Sequence, residues 1–288
     1  MGTSFEQYMN RISEEYHVDT VSTLDNQWSA TSFRGYDVVF NVAGIAHISQ
    51  KKELEPLYYA VNRDLPVAIA RKAKDDGVGQ FIHMSSMIVY GDMSRVGRDK
   101  CVTADTLPQP TTFYGDSKMQ ADILLDKLQN GSFKVAMIRP PLIYSERALG
   151  NFPRLIKIAK TFPMFPNIPN KQSMIYIDNL CEFIRLLIDN NDCGIFCPQN
   201  KEYVNTTEMV KLVAGYKGKR IITTRLFNPL LKLLSGRLNI INKAFGNLTY
   251  DKSLSEYYGF DYCIVDYEQS IKNICERLPQ SGGTRKYG

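Results

Sequence analysis

The chain has 288 residues, a net charge of +5, 44% hydrophobic and 23% charged residues. That is enough for one large α/β domain or two small ones, with the composition of a soluble globular protein. The charge is mild, no Lys/Arg cluster is interleaved with aromatics, and no apolar run reaches the ~20 residues needed to span a bilayer, so nucleic-acid binding and a transmembrane segment are excluded.

The opening Met1-Gly-Thr-Ser-Phe-Glu6 lacks a signal-peptide layout, and Glu6 stands where a myristoylation signal wants Ser or Thr. A cytoplasmic protein is expected. Cysteines stand at 101, 181, 193, 197, 263 and 275. Only Cys193 and Cys197 are close, with no second pair or histidine beside them. All six read as reduced, mostly buried thiols, and no metal site is expected.

Strand and helix signals alternate along the first two-thirds. Residues 4–15 read as an amphipathic helix with Phe5, Tyr8, Met9 and Ile12 on one stripe. Residues 18–22 read as a short strand, and 37–44 as a buried strand ending at Gly44. A helix is predicted over 57–76, stopped by Gly77. A buried strand over 81–85 follows. A helix capped by Thr111 or Thr112 then runs to about Gln129, and residues 134–139 form another buried strand closed by Pro140-Pro141. Helix 151–160, a Pro-rich loop 161–170, strand 174–177 and helix 179–189 come next. Beyond residue 200 the elements are short and mixed. Pro229 to Leu234 is strongly apolar and reads as core or a covering helix, with a membrane-surface or partner-binding helix as the alternative. Residues 281–288 read as a flexible tail.

Continuous apolar strands alternating with helices imply a parallel sheet covered on both faces. In such sheets ligands bind beyond the carboxyl ends of the strands. Gly44, Ser86 and Pro140 all fall at such ends. Tyr114 and Lys118 in Tyr114-Gly-Asp-Ser-Lys118 share one helix face at i and i+4. With a serine arriving from Ser85-Ser86, the crevice would hold a hydroxyl for a substrate oxygen, a phenol that moves a proton, and an ammonium that favours the phenolate. That constellation suits hydride chemistry at an alcohol carbon. His83, inside an apolar strand, reads as a core residue, whereas His47 could line the site.

Asn41-Val-Ala-Gly44, Val61-Asn62, Met84-Ser-Ser-Met-Ile-Val-Tyr-Gly91, Tyr114-Gly-Asp-Ser-Lys118 with Asp122, Arg139-Pro-Pro-Leu-Ile-Tyr144, Gly150-Asn-Phe-Pro-Arg154 and Ser173-Met-Ile-Tyr-Ile-Asp-Asn179 occur in order. Together they resemble the extended short-chain dehydrogenase/reductases, in the NAD-dependent epimerase/dehydratase branch. The likeness covers almost the whole chain and is nearest to UDP-sugar 4-epimerases and 4-keto-sugar reductases of capsule and O-antigen clusters. It implies an α/β, Rossmann-like parallel sheet with a smaller C-terminal substrate-binding region. Residues 1–145 would form the NAD(P)-binding part and 146–280 mainly the substrate-binding part, with 173–198 returning to the core. It implies NAD, with NADP not excluded, a nucleotide-sugar substrate, UDP-linked by preference, and leaves a homodimer open.

The resemblance also implies roles. Tyr114 is the acid/base, Lys118 lowers its pKa and holds the nicotinamide ribose, and Ser86 hydrogen-bonds the sugar oxygen. Gly2, Ala43, Gly44, Asn62 and Pro141, with Tyr114 and Lys118, are the cofactor side. Ser86, Met87, Asn151 and Gln172 are the substrate side. Asn151 contacts the substrate diphosphate in this scheme, or is a plain helix N-cap. Gln172 replaces an arginine of many relatives, with Arg154 or Lys171 as compensation. Asp25 is the nearest candidate for the adenine ribose.

Family members open with a strand and a G-x-x-G-x-x-G loop, of which only Gly2 has a counterpart here. The expectation is a first strand missing between 18–22 and 37–44, by clipping or truncation of a functional ancestor. Met87-Ile88 after Ser86 disfavours 4,6-dehydration, which usually needs Thr-Asp/Glu there. The implied activity is C4 epimerisation of a nucleotide sugar in surface polysaccharide synthesis. A nucleotide 4-keto-sugar reductase is the alternative, and an inactive remnant that binds nucleotide sugar or a partner is the third.

Overall fold

The computed structural model describes residues 1–12, 15–24, 26–46, 51–146, 151–257 and 259–277; side chains 151–154 and 160 lie outside that description. The chain opens with helix α1 (Gly2–Ile12), which buries Phe5, Tyr8 and Met9. Strand β1 (Val38–Asn41) follows. The predicted helix over 57–76 is a chain of α2 (Glu55–Tyr59), a π turn (Ala60–Asp64) and α3 (Leu65–Asp75). Gly77 ends it at φ 89°, a conformation that favours glycine. Then come β2 (Gln80–Met84), β3 (Cys101–Val102), α4 (Phe113–Asp126), β4 (Lys134–Ile138) and β5 (Leu142–Tyr144). The remaining elements are α5 (Asn151–Thr161), β6 (Met164–Pro166), β7 (Met174–Tyr176), α6 (Ile177–Asp189), β8 (Gly194–Phe196), α7 (Thr206–Tyr216), β9 (Ile222–Thr224), α8 (Asn228–Leu234), α9 (Asn239–Phe245), β10 (Thr249–Tyr250) and α10 (Tyr267–Arg277). The loop expected at 161–170 thus contains β6.

The main sheet is parallel in the order β1-β2-β4-β8. Side chains alternate across it. Ile82, Ala136 and Ile138 join one core layer, with Phe5 and Met9 of α1 and Leu180, Phe183 and Ile184 of α6. Phe81, Val135 and Met137 join the opposite layer, with Ile69, Ala70 and Ala73 of α3 and Leu125 of α4. Both faces are covered, which is why β2 reads as a continuous apolar run. The first of its two polar residues is engaged: the buried Gln80 amide donates to Leu187 O and Asp192 O. The first core layer continues into the C-terminal part, where Phe183 is ringed by Phe196, Tyr257, Phe260 and Tyr262 at 5.0 to 5.9 Å between centroids. No helix among the described residues is long and apolar enough to cross a membrane.

The strand expected at 18–22 does not form. These residues are irregular, and among the described residues β1 is the edge of the sheet. A strand needs a partner for its backbone N–H and C=O groups, and none lies beside 18–22. The Tyr36 hydroxyl ties the segment down at Asp19. Between it and β1 runs a groove of about 360 Å³, lined by Ser22, Thr23, Trp28, Val39, Asn41 and Ala43 among others. The described cysteines carry no disulfide; Cys181, Cys197 and Cys275 are buried, whereas Cys101 and Cys193 are exposed. The tail at 281–288 lies outside the described residues.

Amide hydrogen exchange tests this arrangement. Amides 19–23 should exchange at near-random-coil rates, while those of β2 stay protected by several orders of magnitude. Equal protection in the two segments would mean that 18–22 is a paired strand.

Candidate active site

The site is built where β1, β2 and β4 end. Beyond Met84 the chain passes through Ser85 to Ser86, which caps a 3-10 turn (Met87–Tyr90); the Ser86 Oγ accepts from Ile88 N–H at 3.3 Å. The exit of β4 pins this stretch, with Ser85 N–H donating to Ile138 O at 2.8 Å and Met87 N–H to Pro140 O at 2.9 Å. Opposite it begins α4, capped by Thr112, whose Oγ1 accepts from Gly115 N–H at 3.1 Å. A Cβ on Gly115 would stand 2.9 Å from Ile88 O and 3.0 Å from Pro110 Cβ. Glycine there lets α4 close on the 3-10 turn, and Tyr114 stands one residue earlier, in the first turn of the helix.

One turn further along α4, Lys118 is buried. Its Nζ donates to Met84 O at 2.7 Å. Burial lowers its pKa to about 8, with Asp122 opposing that fall. A Cβ on Gly44 would lie 3.1 Å from Asn62 Oδ1 and 3.2 Å from the Lys118 Nζ, so any larger residue at this end of β1 would have to push these side chains aside. Asn62 sits in the π turn, a feature frequent at functional sites. Its Oδ1 accepts from Ile45 N–H, and its Nδ2 donates to Ile45 O and to Ser117 Oγ. This one side chain fastens the loop after β1 to α4.

A second turn along, Asp122 completes the face. Its Oδ2 accepts from Arg139 Nε and from Ser85 Oγ, both at 2.9 Å. Arg139 also donates to the Tyr90 hydroxyl at 2.8 Å. This buried ion pair connects α4, β4, the serine segment and the 3-10 turn. Asp122 and Tyr90 hold Arg139 cationic against the effect of its burial.

Burial pushes the Tyr114 phenol above its ordinary value, and the neighbouring Ser86 hydroxyl works against that rise. The depression expected from Lys118 is not found in this geometry: the ammonium is turned to Met84 O. His83 is a buried core residue as expected, its Nδ1 bonded to Asn41 Nδ2 at 3.1 Å. Its Nε2 has no partner among the described residues. Burial and the neighbouring Lys118 hold its pKa well below the imidazole range, so it is neutral.

The other sequence-picked residues divide. Pro141 is buried and directly follows Pro140, whose carbonyl holds Met87. Ala43 is half-buried, its N–H donating to Asn41 Oδ1 at 3.3 Å. Gly2 opens α1 beside Val42, 3.3 Å from where its Cβ would be. Met87 instead joins an apolar cluster with Val89, Val102 and Tyr250. Gln172 is buried as well, its Nε2 donating to Gly246 O at 3.1 Å and Ala244 O at 3.4 Å, which fixes the loop after α9 rather than opening toward a crevice. Asn151 is the first residue of α5, its side chain outside the described residues. Asp25 and His47 also lie outside them. Gly115, Tyr90 and the Met84 carbonyl were missed. Only Gly115 had a signal: a helix-breaking residue in the first turn of an otherwise strong helix.

Residues 4–196 match the NAD dependent epimerase/dehydratase family. The chain belongs to this family. It is similar to the UDP-glucose 4-epimerase of Vibrio cholerae, 33% identical over 229 residues, covering 75% of this chain and 69% of that protein. It also resembles the N-acetyl-alpha-D-glucosaminyl-diphospho-ditrans,octacis-undecaprenol 4-epimerase of Escherichia coli O157:H7, 29% identical over 231 residues, 77% of this chain and 67% of that one. Its fold matches a UDP-glucuronic acid 4-epimerase from Bacillus cereus in complex with NAD, with a TM-score of 0.68 and 17% identity, over 97% of this chain and 86% of that one. An epimerase-family chain implies a dinucleotide, and the strand ends fit one. Gly44 is exposed and lacks a Cβ where a ring could approach. Lys118 has three N–H donors and, among the described residues, gives one to Met84 O. The N-terminus of α1 beside Val42 suits a phosphate.

Two results test the geometry. In an ordinary helix interior Gly→Ala gains about 0.5–1 kcal/mol. At Gly115 the 2.9 Å contact should win, so Gly115→Ala should lower stability by about 1–3 kcal/mol; a raised melting temperature would refute the close approach. Lys118 has a folded pKa of about 8 against an ordinary 10.5. The unfolded chain therefore binds the extra proton between those values, and the penalty of the buried ammonium is full below pH 8 and fades as pH rises. Urea denaturation should show wild-type stability rising relative to Lys118→Met by up to ~1.4 kcal/mol per pH unit between about pH 8 and 10. Parallel curves would contradict this.

Proposed function

We propose that this chain is an NAD(P)-dependent nucleotide-sugar epimerase acting at C4, with Ser86, Tyr114 and Lys118 as its working residues. The observation that carries the reading is the Lys118 ammonium, which donates to the Met84 carbonyl just before the serine segment and is packed against Gly44, on the helix face that also bears Tyr114. A UDP-linked sugar is the proposed substrate, in keeping with the name of the Vibrio cholerae relative, and surface polysaccharide synthesis is the proposed setting.

Ser86 holds the sugar's 4-oxygen by a hydrogen bond. Tyr114 takes the proton of that hydroxyl and later returns it. In the geometry described here the phenol is kept protonated by burial, so it is set as the acid and needs a nearby cation to become the base. A bound nicotinamide supplies the hydride acceptor and donor, and in its oxidised form a positive charge. Gly44, Ala43, Asn62 and Pro141 would line its side of the crevice, Lys118 would reach its ribose, and Gly2 at the start of α1 would face its phosphates. Asp122 and Arg139 touch no substrate in this scheme; they hold α4 and the serine segment at the right separation.

Tyr114→Phe should lower the conversion of UDP-glucose to UDP-galactose by about 10²–10⁴-fold while leaving cofactor binding, read by fluorescence titration, within a few-fold of wild type. Unchanged turnover would remove Tyr114 from the chemistry. A purified protein with no retained cofactor that oxidises NAD(P)H only when given a 4-keto sugar would show a reductase instead.

A further inference from the structure

Helix α8 is apolar on two sides. Leu231 and Leu234 pack against the core, yet no residue of the helix is buried. On the outward side Leu226 is 78% exposed, Leu230 55% and Leu233 76%. Leu230 and Leu233, three apart on α8, form a stripe on one face, and Leu226 lies in the turn just before the helix. Phe227, Leu238 and Ile240, close in sequence, are exposed as well, as are Ile222 and its strand partner Met164. Isolated exposed leucines need no explanation, but a contiguous group of this kind marks an interaction surface.

The helix is held rigidly enough for the stripe to be a built surface. Asn228 Nδ2 donates to Asn167 O at 2.7 Å, joining α8 to the turn after β6. Asn242 Nδ2 donates to Ser235 O at 2.9 Å, and its Oδ1 accepts from Val96 N–H at 3.3 Å. The loop at 95–98 is thereby drawn up to the end of α8, with Lys232 against Gly97 and Arg95 near Gly236.

Charge names the occupant. From 209 to 250 the chain carries eight basic residues, Lys211, Lys217, Lys219, Arg220, Arg225, Lys232, Arg237 and Lys243, and no Asp or Glu. Arg225, Lys232 and Arg237 are exposed, and Arg95 and Arg98 stand on the neighbouring loop with two carboxylates, Asp92, which accepts from Thr111, and Asp99, which accepts from Asn247. A second copy of this chain would bring the same cations face to face. A surface that is negative in its outer plane and apolar just beneath satisfies both features. We infer that the α8 face docks on a bilayer bearing anionic headgroups, with Leu226, Leu230 and Leu233 entering the headgroup–acyl boundary and the surrounding Arg and Lys meeting lipid phosphates. The helix lies in the plane of the interface and does not span it. This inference is independent of the reading of the catalytic residues.

Vesicle co-sedimentation tests it on the full chain. The wild type should pellet with mixed phosphatidylglycerol–phosphatidylcholine vesicles and remain in solution with pure phosphatidylcholine. Arg225→Gln and Lys232→Gln should each weaken partitioning about fivefold, and added salt should weaken the wild type likewise. Leu230→Ser with Leu233→Ser should weaken it about tenfold or more, with the melting temperature unchanged because both side chains already face water. If that double variant is unstable, the two charge variants decide alone. Failure to bind anionic vesicles, equal binding to neutral ones, or indifference to Arg225→Gln and Lys232→Gln would overturn the inference. So would a concentration-dependent dimer that Leu230→Ser abolishes, which would make a second copy the occupant.

Discussion

The buried contact between Asp122 and Arg139 is the constraint on which the arrangement of the crevice depends. One carboxylate oxygen receives a guanidinium from β4 and a hydroxyl from the serine segment, while the same guanidinium reaches the phenol of Tyr90. Four parts of the chain are thus fixed by groups that have almost no access to water. Breaking such a pair by removing one partner typically costs 3–5 kcal/mol, because the other charge is left buried alone. The pair therefore acts less as a source of stability than as a determinant of which geometry is allowed. Tyr114, Lys118 and Asp122 follow each other at four-residue steps on one face of α4, so locking the last of them sets the rotation of the helix for all three.

The close approaches of the site share a second theme: missing side chains. Gly115 lets α4 meet the carbonyl of Ile88, and Gly44 lets the end of β1 meet an ammonium. Asn62 then fastens the loop that contains Gly44 to the helix that contains Lys118. The outcome is a lysine far from its solution behaviour and a phenol shifted toward the protonated form. Each shift comes first from desolvation and only then from charges nearby.

Much of this could be read from the residues. The strands were legible at 81–85 and 134–139 because doubly covered parallel strands are unbroken apolar runs, and α4 because Thr112 caps it. That the serine segment would meet the helix carrying Tyr114 and Lys118 followed from the strand ends and the i, i+4 spacing. What could not be read depended on partners distant in sequence. The segment 18–22 has a strand's composition but no strand beside it. Met87 and Gln172 were expected on the substrate side, yet the apolar cluster around Tyr250 and the carbonyls at 244 and 246 determine where they point. The phenol's direction of shift also escaped, since the sequence shows that a lysine is four residues away but not that Met84 O has captured it.

The uncovered side of β1 bears on how the protein behaves as a material. Its N–H and C=O groups on that side face a groove instead of a strand, and a straight, parallel edge of Val-Val-Phe-Asn offers a ready template for any extended chain. The guards are few: the strand is four residues long, and the segment tethered at Asp19 partly screens it. Among the described residues this short edge is the part of the sheet most open to pairing with another extended chain, and a charged residue placed there would oppose such pairing.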